Sequence, residues 1–190
     1  MSEVKEPKKS IATKKRGVGI YMQNILNRKI QVPFNKVGSN LTENIITTLS
    51  RQIDGKCVQE GYIKPNTIRL INYSAGVISG NNVTFTVVFE CLICRPVEGM
   101  KFKAVVKNIT KAGIRCETKD NPSPVVVFIA RDHHFKSKEF AQLNIDDEIN
   151  VRVIGIRYEL NDQYISVIAE LVTTRKKKKP IKIIIKSKNT

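Results

Sequence analysis

The chain has 190 residues, 41% of them hydrophobic, which is enough for one large hydrophobic core or two small ones. Its formal net charge is +16, and most of that charge lies at the ends, since residues 1–16 carry net +4 and residues 175–190 carry net +8. No run of about 18 apolar residues occurs and the lysine-rich start has no signal-peptide core, which argues against a membrane-spanning or secreted protein and favours a soluble, intracellular one with reduced cysteines.

The first half of the chain is predicted to combine strands with one helix. Residues 1–16 are predicted to form a disordered basic arm, and residues 18–32 two short strands or one bent strand that Pro33 ends. Apolar residues recur at helical spacing after Ser39 and Asn40, either of which can cap the helix. This pattern predicts a helix over residues 40–53 whose buried face consists of Leu41, Ile45, Ile46 and Leu49.

Further strands follow that helix. Residues 56–63 and 67–72 are strand candidates, separated by a break at Lys64-Pro65-Asn66. Ser79, Gly80, Asn81 and Asn82 predict a turn. It leads into an alternating run, residues 83–94, that predicts a long strand with both faces largely covered and ends before Pro96. Residues 17–96 are therefore predicted to form an α+β domain.

The second half is predicted to be an all-β domain over residues 97–174. Five strands are predicted at residues 101–107, 113–117, 125–129, 150–157 and 164–171. Five is the number that a small oligonucleotide-binding (OB) barrel requires. A short helix is expected within residues 130–148, and residues 175–190 form a basic tail that is either a nuclear import signal or only a charged extension.

The order of short motifs resembles a known family. Residues 99–171 resemble an S1 RNA-binding domain through VVVFIA at 125–130, DDEINVRVIGI at 146–156 and YISVIAEL at 164–171. The first half is similar to the tip domain of the seventh subunit of RNA polymerase II and of its archaeal counterpart, through IQVP at 30–33, EGYI at 60–63 and VVFECLICRP at 87–96. The resemblance implies an RNP-like tip domain followed by an S1/OB-fold five-stranded barrel, in a member of the family that is divergent and could be viral.

What the resemblance implies is a non-catalytic stalk subunit of a DNA-dependent RNA polymerase, located in the nucleus, or in a viral factory or virion if the member is viral. In that family the tip domain docks on the polymerase core, a small helical partner subunit lies along both domains, and the barrel faces the emerging single-stranded transcript. The matching core-docking candidates are Gly61, Tyr62, Ile63, Ser79, Gly80, Asn81 and Asn82. The alternative is structural, with Gly61 serving only a turn and Tyr62 only the core.

The barrel departs from the RNA-binding pattern of S1 domains. Ala112 and Arg115 stand where that pattern has two aromatic residues, and Phe128 stands where it often has a histidine. Since stacking contributes ~1–3 kcal/mol per base, we expect weaker and more electrostatic binding with little sequence preference. The RNA-binding candidates are Lys101, Lys103, Lys107, Lys111, Arg115 and Phe128. The alternative is that these residues only form an ordinary solvated strand face.

The sequence predicts neither catalysis, a metal site nor a cofactor. His133 and His134 are adjacent and accompany no nucleophile pattern. Cys91 and Cys94 have zinc-like spacing, but three residues along a strand place their thiols on opposite faces. The alternative function is a stand-alone S1-type RNA-binding or translation-associated protein, and the layout of the first half distinguishes the two because S1 proteins as a class lack it.

Overall fold

The computed structural model describes residues 19–38, 40–134 and 138–172. The predicted basic arm, the predicted basic tail and the candidate cap Ser39 lie outside these residues. Within the described ranges, no helix is long and apolar enough to cross a membrane. The described chain is mostly β structure, arranged as a six-stranded sheet followed by a closed barrel.

The sheet is built around one long strand. Its strands are β1 (Tyr21–Pro33), β2 (Cys57–Val58), β3 (Gly61–Ile63), β4 (Arg69–Tyr73), β5 (Val77–Ser79) and β6 (Asn82–Cys94). β1 pairs antiparallel with the full length of β6 on one side. On the other side β5, β4 and β3 pair with successive parts of β6, and β2 extends the sheet from β3. A 3-10 turn (Phe34–Lys36) and helix α1 (Leu41–Ile53) connect β1 to β2.

Helix α1 covers one face of this sheet. Alternate side chains of β6 are buried, because a strand directs every second side chain to the same face. Ile45, Leu49 and Ile53 of α1 pack in the same hydrophobic cluster. Leu41 packs at the edge of that cluster, but Ile46 is only half-buried, so its predicted core position is wrong. The helix turns by about 100° per residue, which places Ile46 to one side of the face that Ile45 and Leu49 define.

Three details differ from the prediction for the first half. Of the two alternatives for residues 18–32, two short strands or one bent strand, the structure has a single strand, since β1 pairs with β6 without a register shift over 13 residues. Residues 56–63 form the small hairpin β2–β3 rather than one strand, because the chain turns at Gln59 and Glu60. Strand β5 was not predicted.

The second half forms the predicted five-stranded barrel. Its strands are β7 (Lys101–Ile109), β8 (Gly113–Glu117), β9 (Val125–Ala130), β10 (Glu148–Arg157) and β11 (Ile165–Leu171). The barrel closes in the order β10-β11-β9-β8-β7, with β11 parallel to β9 and the other neighbours antiparallel. A 3-10 turn (Arg131–His133) and the short helix α2 (Lys138–Ala141) precede β10. This architecture is consistent with the predicted S1/OB fold.

The sheet and the barrel share a hydrophobic cluster where they meet. Tyr21, Cys94, Tyr62 and Cys57 occupy one row across β1, β6, β3 and β2, and all four are buried together with the barrel core. Cys57 N donates to Asp162 O at 2.7 Å, and Asn161 N donates to Cys57 O at 2.9 Å. The outer edge of β2 is thus hydrogen-bonded to the β10–β11 loop. We call this hydrogen-bonded edge and the buried row together the junction.

Candidate functional site

The end of the sheet away from the barrel carries an exposed apolar surface. Tyr21 pairs with Cys94 near the barrel, so the opposite end of the β1–β6 pair is where Pro33 pairs with Asn82. Phe34 is 59% exposed and Ile78 is 68% exposed at this end. A groove of about 680 Å³ lies between them, lined by Pro33, Phe34, Asn35, Ile78, Gly80, Asn81 and Asn82. We call these seven residues the tip surface.

Local sequence explains the shape of the tip surface. Ser79 pairs with Asn82, which leaves Gly80 and Asn81 as a two-residue hairpin turn. Gly80 has φ +58°, in the left-handed region that glycine and asparagine tolerate best. Phe34 N donates to Asn81 O at 2.9 Å and ties the turn to the end of β1. Of the predicted docking candidates, Gly80, Asn81 and Asn82 belong to the tip surface and Ser79 adjoins it, and Ser79, Gly80 and Asn81 are exposed.

Gly61, Tyr62 and Ile63 lie elsewhere, in the interior near the junction. All three residues of β3 are buried, so their side chains are not available to a partner and the structural alternative fits them better. Gly61 has φ +135°, and a Cβ atom built there would lie 2.5 Å from the carbonyl oxygen of Cys94. The EGYI motif therefore marks a close approach between β3 and β6. The sequence could not separate this role from docking, because a glycine in such a motif can serve either.

The candidate lysines of β7 are exposed but mostly ion-paired. Lys103 Nζ lies 2.8 Å from Glu148 Oε1, and Lys107 Nζ lies 3.3 Å from Asp146 Oδ1. Lys119 also pairs with Glu148. Hydrogen bonds from Lys103 and Lys119 lower the pKa of Glu148 to about 2, and the same contact raises the pKa of Lys103. Sequence reasoning missed these carboxylates because they reach β7 from the distant start of β10.

Two other candidates, Arg115 and Phe128, lie side by side on neighbouring strands. Arg115 of β8 pairs with Phe128 of β9, so both project from the same outer face of the barrel. Phe128 is 38% exposed, and its ring lies over Gly113, where an added Cβ atom would be 2.8 Å from Phe128 Cζ. Arg115 Nη2 lies 3.0 Å from Glu117 Oε1. The structure therefore divides the RNA-binding candidates between the β7 surface and the β8–β9 surface.

A groove that the sequence did not reveal adjoins Phe128. Its volume is about 320 Å³, and its walls come from β9, β10 and β11, including Val126, Ile156 and Ile168. Ile156 and Ile168 are partly exposed. An aromatic ring beside an apolar groove can stack a nucleic-acid base or seat an apolar side chain of a protein.

The cysteines and His134 serve packing. Cys91 lies in the hydrophobic cluster that includes the buried residues of α1, which we call the helix-side cluster, and Cys94 lies in the junction. Their thiols therefore face opposite sides of β6, as predicted. Burial raises the pKa of Cys57, Cys94 and Cys116 to about 12, which keeps these thiols protonated at neutral pH. His134 stacks on Phe140 with ring centroids 5.3 Å apart. Within the part of the chain that the structure describes, no group of three or more metal-ligating side chains comes together.

Comparisons with known proteins confirm the resemblance found in the motifs, although no family model matches the chain. A protein of Acanthamoeba polyphaga mimivirus, provisionally named a DNA-directed RNA polymerase subunit, is 28% identical over 171 residues, covering 80% of this chain and 82% of that one. DNA-directed RNA polymerase II subunit RPB7 of Glycine max is 25% identical, with 75% and 88% covered. DNA-directed RNA polymerase II subunit 7 of Arabidopsis thaliana is also 25% identical, with 74% and 86% covered.

Among solved structures, an uncharacterized protein of Methanocaldococcus jannaschii aligns with 41% of this chain and 95% of its own, at 23% identity. Its TM-score of 0.33 is too low to support a conclusion about the fold. The curated relatives are more informative because their alignments cover 74 to 80% of this chain, which necessarily includes parts of both the sheet and the barrel.

Proposed function

We propose that this chain, whose relatives are the seventh subunits of RNA polymerase II and a viral counterpart, is a non-catalytic stalk subunit of a DNA-directed RNA polymerase. Residues 17–96 act as the tip domain that docks on the polymerase core, and residues 97–174 act as the S1 domain that contacts emerging RNA. Catalysis belongs to the complex. The similarity to named polymerase subunits over both halves of the chain supports this function.

The observation that carries the docking role is the tip surface. Phe34 and Ile78 expose large apolar areas around a groove at the end of the sheet opposite the barrel. Exposed apolar patches rimmed by polar residues mark interaction sites, and aromatic anchors supply much of the energy of an interface. Docking at this end leaves the barrel projecting away from the core, which is the geometry that a stalk requires.

The proposed partners and cellular location follow from the similarity to polymerase subunits. The partners are core subunits of the polymerase, a small helical stalk subunit and single-stranded RNA. The location is the nucleus, or a viral factory or virion for a viral polymerase. A stand-alone S1-type RNA-binding protein would use the barrel but would have no use for the tip surface, so the tip surface favours the stalk function.

Charging the tip surface tests this proposal. Ile78→Glu and Phe34→Glu are each expected to reduce recovery of the large polymerase subunits when the tagged chain is purified from its native source, because a carboxylate cannot be buried in an apolar contact without a partner. The control is Leu160→Glu in the β10–β11 loop, since Leu160 is 69% exposed but lies on the barrel side. Thermal melts check that all three variants fold. Stoichiometric recovery of polymerase with folded Ile78→Glu and Phe34→Glu would show that the core docks elsewhere.

A further inference from the structure

We propose that Tyr164 supplies a stacking ring that the second barrel strand lacks, so that single-stranded RNA crosses the outer face of the barrel from Tyr164 to Phe128, beside which Arg115 lies. This inference rests on the proposed RNA contact and names its path. Tyr164 was not a candidate from the sequence, because it immediately precedes β11 and is distant along the sequence from the strands that carry the S1 aromatic residues.

Two adjoining cavities define this path. The first is a cleft of about 420 Å³ between the sheet and the barrel, with Lys56 on the sheet side and Arg115 and Tyr164 on the barrel side. The second is the groove beside Phe128. Val126 lines both cavities, so the cleft and the groove adjoin on the outer face of the barrel.

Strand register places the two rings on the same face. Val126 pairs with Ser166, and Phe128 pairs with Ile168. Tyr164 precedes Ser166 by two residues, and side chains two residues apart on an extended chain point to the same face. The two rings are therefore separated by four residues along the strand direction, about 13 Å, and by one strand across. Both are accessible, Tyr164 at 44% and Phe128 at 38% exposure.

The chemistry of the cleft and the groove suits a single strand. Aromatic faces stack any base, so two exposed rings on one face bind RNA without requiring a particular sequence. Arg115 lies beside Phe128 on β8, and its pairing with Glu117 is solvent-exposed, so a phosphate can replace the carboxylate at small cost. Lys56 and Arg115 line the cleft with Tyr164, and so do Asp54 and Glu117. The cations of the cleft are thus balanced by carboxylates, so stacking is expected to contribute more to affinity there than charge.

The β7 surface is less suited to RNA. Glu148 holds Lys103 and Lys119, and Asp146 holds Lys107, so RNA bound there would meet two carboxylates and no exposed ring, since Phe102 of β7 is buried. The apolar walls of the groove beside Phe128 would also fit a side chain of a protein partner. We favour RNA because a second exposed ring, Tyr164, lies on the same face as Phe128, which an apolar side chain would not need.

The experiment measures the affinity of the full chain for a fluorescent oligouridylate over a series of salt concentrations. Tyr164→Leu is expected to lower affinity about fivefold or more, which corresponds to the loss of one stacked base, and to leave the salt slope unchanged because no charge is removed. Tyr164→Phe keeps the ring and is expected to bind as the wild type does. Tyr73→Leu is the matched control, because Tyr73 is an exposed tyrosine on β4, away from the barrel.

The outcomes separate this inference from the proposed function. Wild-type affinity in Tyr164→Leu overturns the path, and if Lys103→Glu with Lys107→Glu then weakens binding, RNA uses the β7 surface while the stalk function stands. If the wild-type chain binds no RNA, the inference and the RNA contact both fail, whereas docking is judged separately by the tip variants. If Ile168→Glu removes a polymerase subunit from the purified complex and leaves RNA affinity unchanged, the groove is a protein interface and the path is wrong.

Discussion

Gly61 is a position where the backbone conformation and the available space both require glycine. Its φ of +135° lies in a region that residues with a Cβ rarely adopt, and a Cβ there would lie 2.5 Å from Cys94 O and 2.9 Å from Ile93 Cγ2. Gly61→Ala is therefore expected to destabilise the protein by about 1–3 kcal/mol or more, which a urea or thermal unfolding curve measures. Gly38→Ala is the control, because nothing lies within 4 Å of its Cβ position. Equal stability of the two variants would contradict this geometry.

Glu148 provides a second test at the scale of one residue. Its pKa lies near 2 rather than its ordinary 4.5 because Lys103 and Lys119 donate hydrogen bonds to its carboxylate. Since the folded pKa is lowered, the stabilisation is fully present above about pH 4.5 and is lost as the pH falls toward 2. An NMR titration is expected to show the low midpoint, and Lys103→Gln with Lys119→Gln to return it toward the ordinary value. If the titration midpoint of Glu148 in the wild type were near 4.5, Glu148 would not hold Lys103, and Lys103 would be free to bind a phosphate.

For single residues, sequence reasoning succeeded where local order determines the environment and failed where a distant strand determines it. Exposed lysines on an alternating strand were predicted correctly as surface residues, because alternation depends only on local order. Their carboxylate partners were not predicted, because Glu148 meets Lys103 only after β10 has closed the barrel against β7. Tyr164 was missed for the same reason.

Helix α1 contributes three buried side chains to the sheet core, Ile45, Leu49 and Ile53. Leu49 is fully buried in the same cluster as the core residues of β6, so Leu49→Ala is expected to cost ~2–5 kcal/mol, from the lost transfer energy and the cavity that remains. Thr47 on the exposed face of the same helix is the control, and Thr47→Ala should change stability by less than about 0.5 kcal/mol. Chemical denaturation measures both. A Leu49→Ala protein as stable as the control would show that α1 does not pack as described.

At the scale of elements, strands were easier to predict than their pairing. The five barrel strands were located to within about two residues because each alternates and is bounded by turn residues. The small strands β2, β3 and β5 were misread or missed, because two or three residues carry too little periodicity to recognise. The continuity of β1 could not be read from its polar centre, since Asn24 and Asn27 resemble breaks but are held in register by β6.

At the scale of the whole molecule, the junction is where the sheet and the barrel share a buried core. Tyr62 is fully buried there, and neither its hydroxyl nor that of Tyr21 has a hydrogen-bond partner among the described residues. An unpaired buried hydroxyl costs free energy, so Tyr62→Phe is expected to keep or increase stability in a thermal melt. A loss of more than about 1 kcal/mol would indicate that the hydroxyl is satisfied, for example by an ordered water.

A shared core predicts that the sheet and the barrel unfold together. The four cysteines are natural probes of this cooperativity, because Cys91 lies in the helix-side cluster, Cys116 in the barrel, and Cys57 and Cys94 at the junction. Thiol labelling in increasing urea, read by mass spectrometry, is expected to give the same midpoint for all four, since a buried thiol reacts only when its surroundings open.

Tyr62→Ala should then separate these midpoints, because it removes one of the two tyrosine side chains that the sheet contributes to the junction while leaving Cys91 in the helix-side cluster and Cys116 in the barrel. Leu49→Ala is the comparison, since it weakens the helix-side cluster without touching the junction. If Cys91 and Cys116 already become reactive at different urea concentrations in the wild type, the two halves fold independently. The two halves would then be jointed at the junction rather than rigidly connected, and the cleft beside Tyr164 would open and close with that joint.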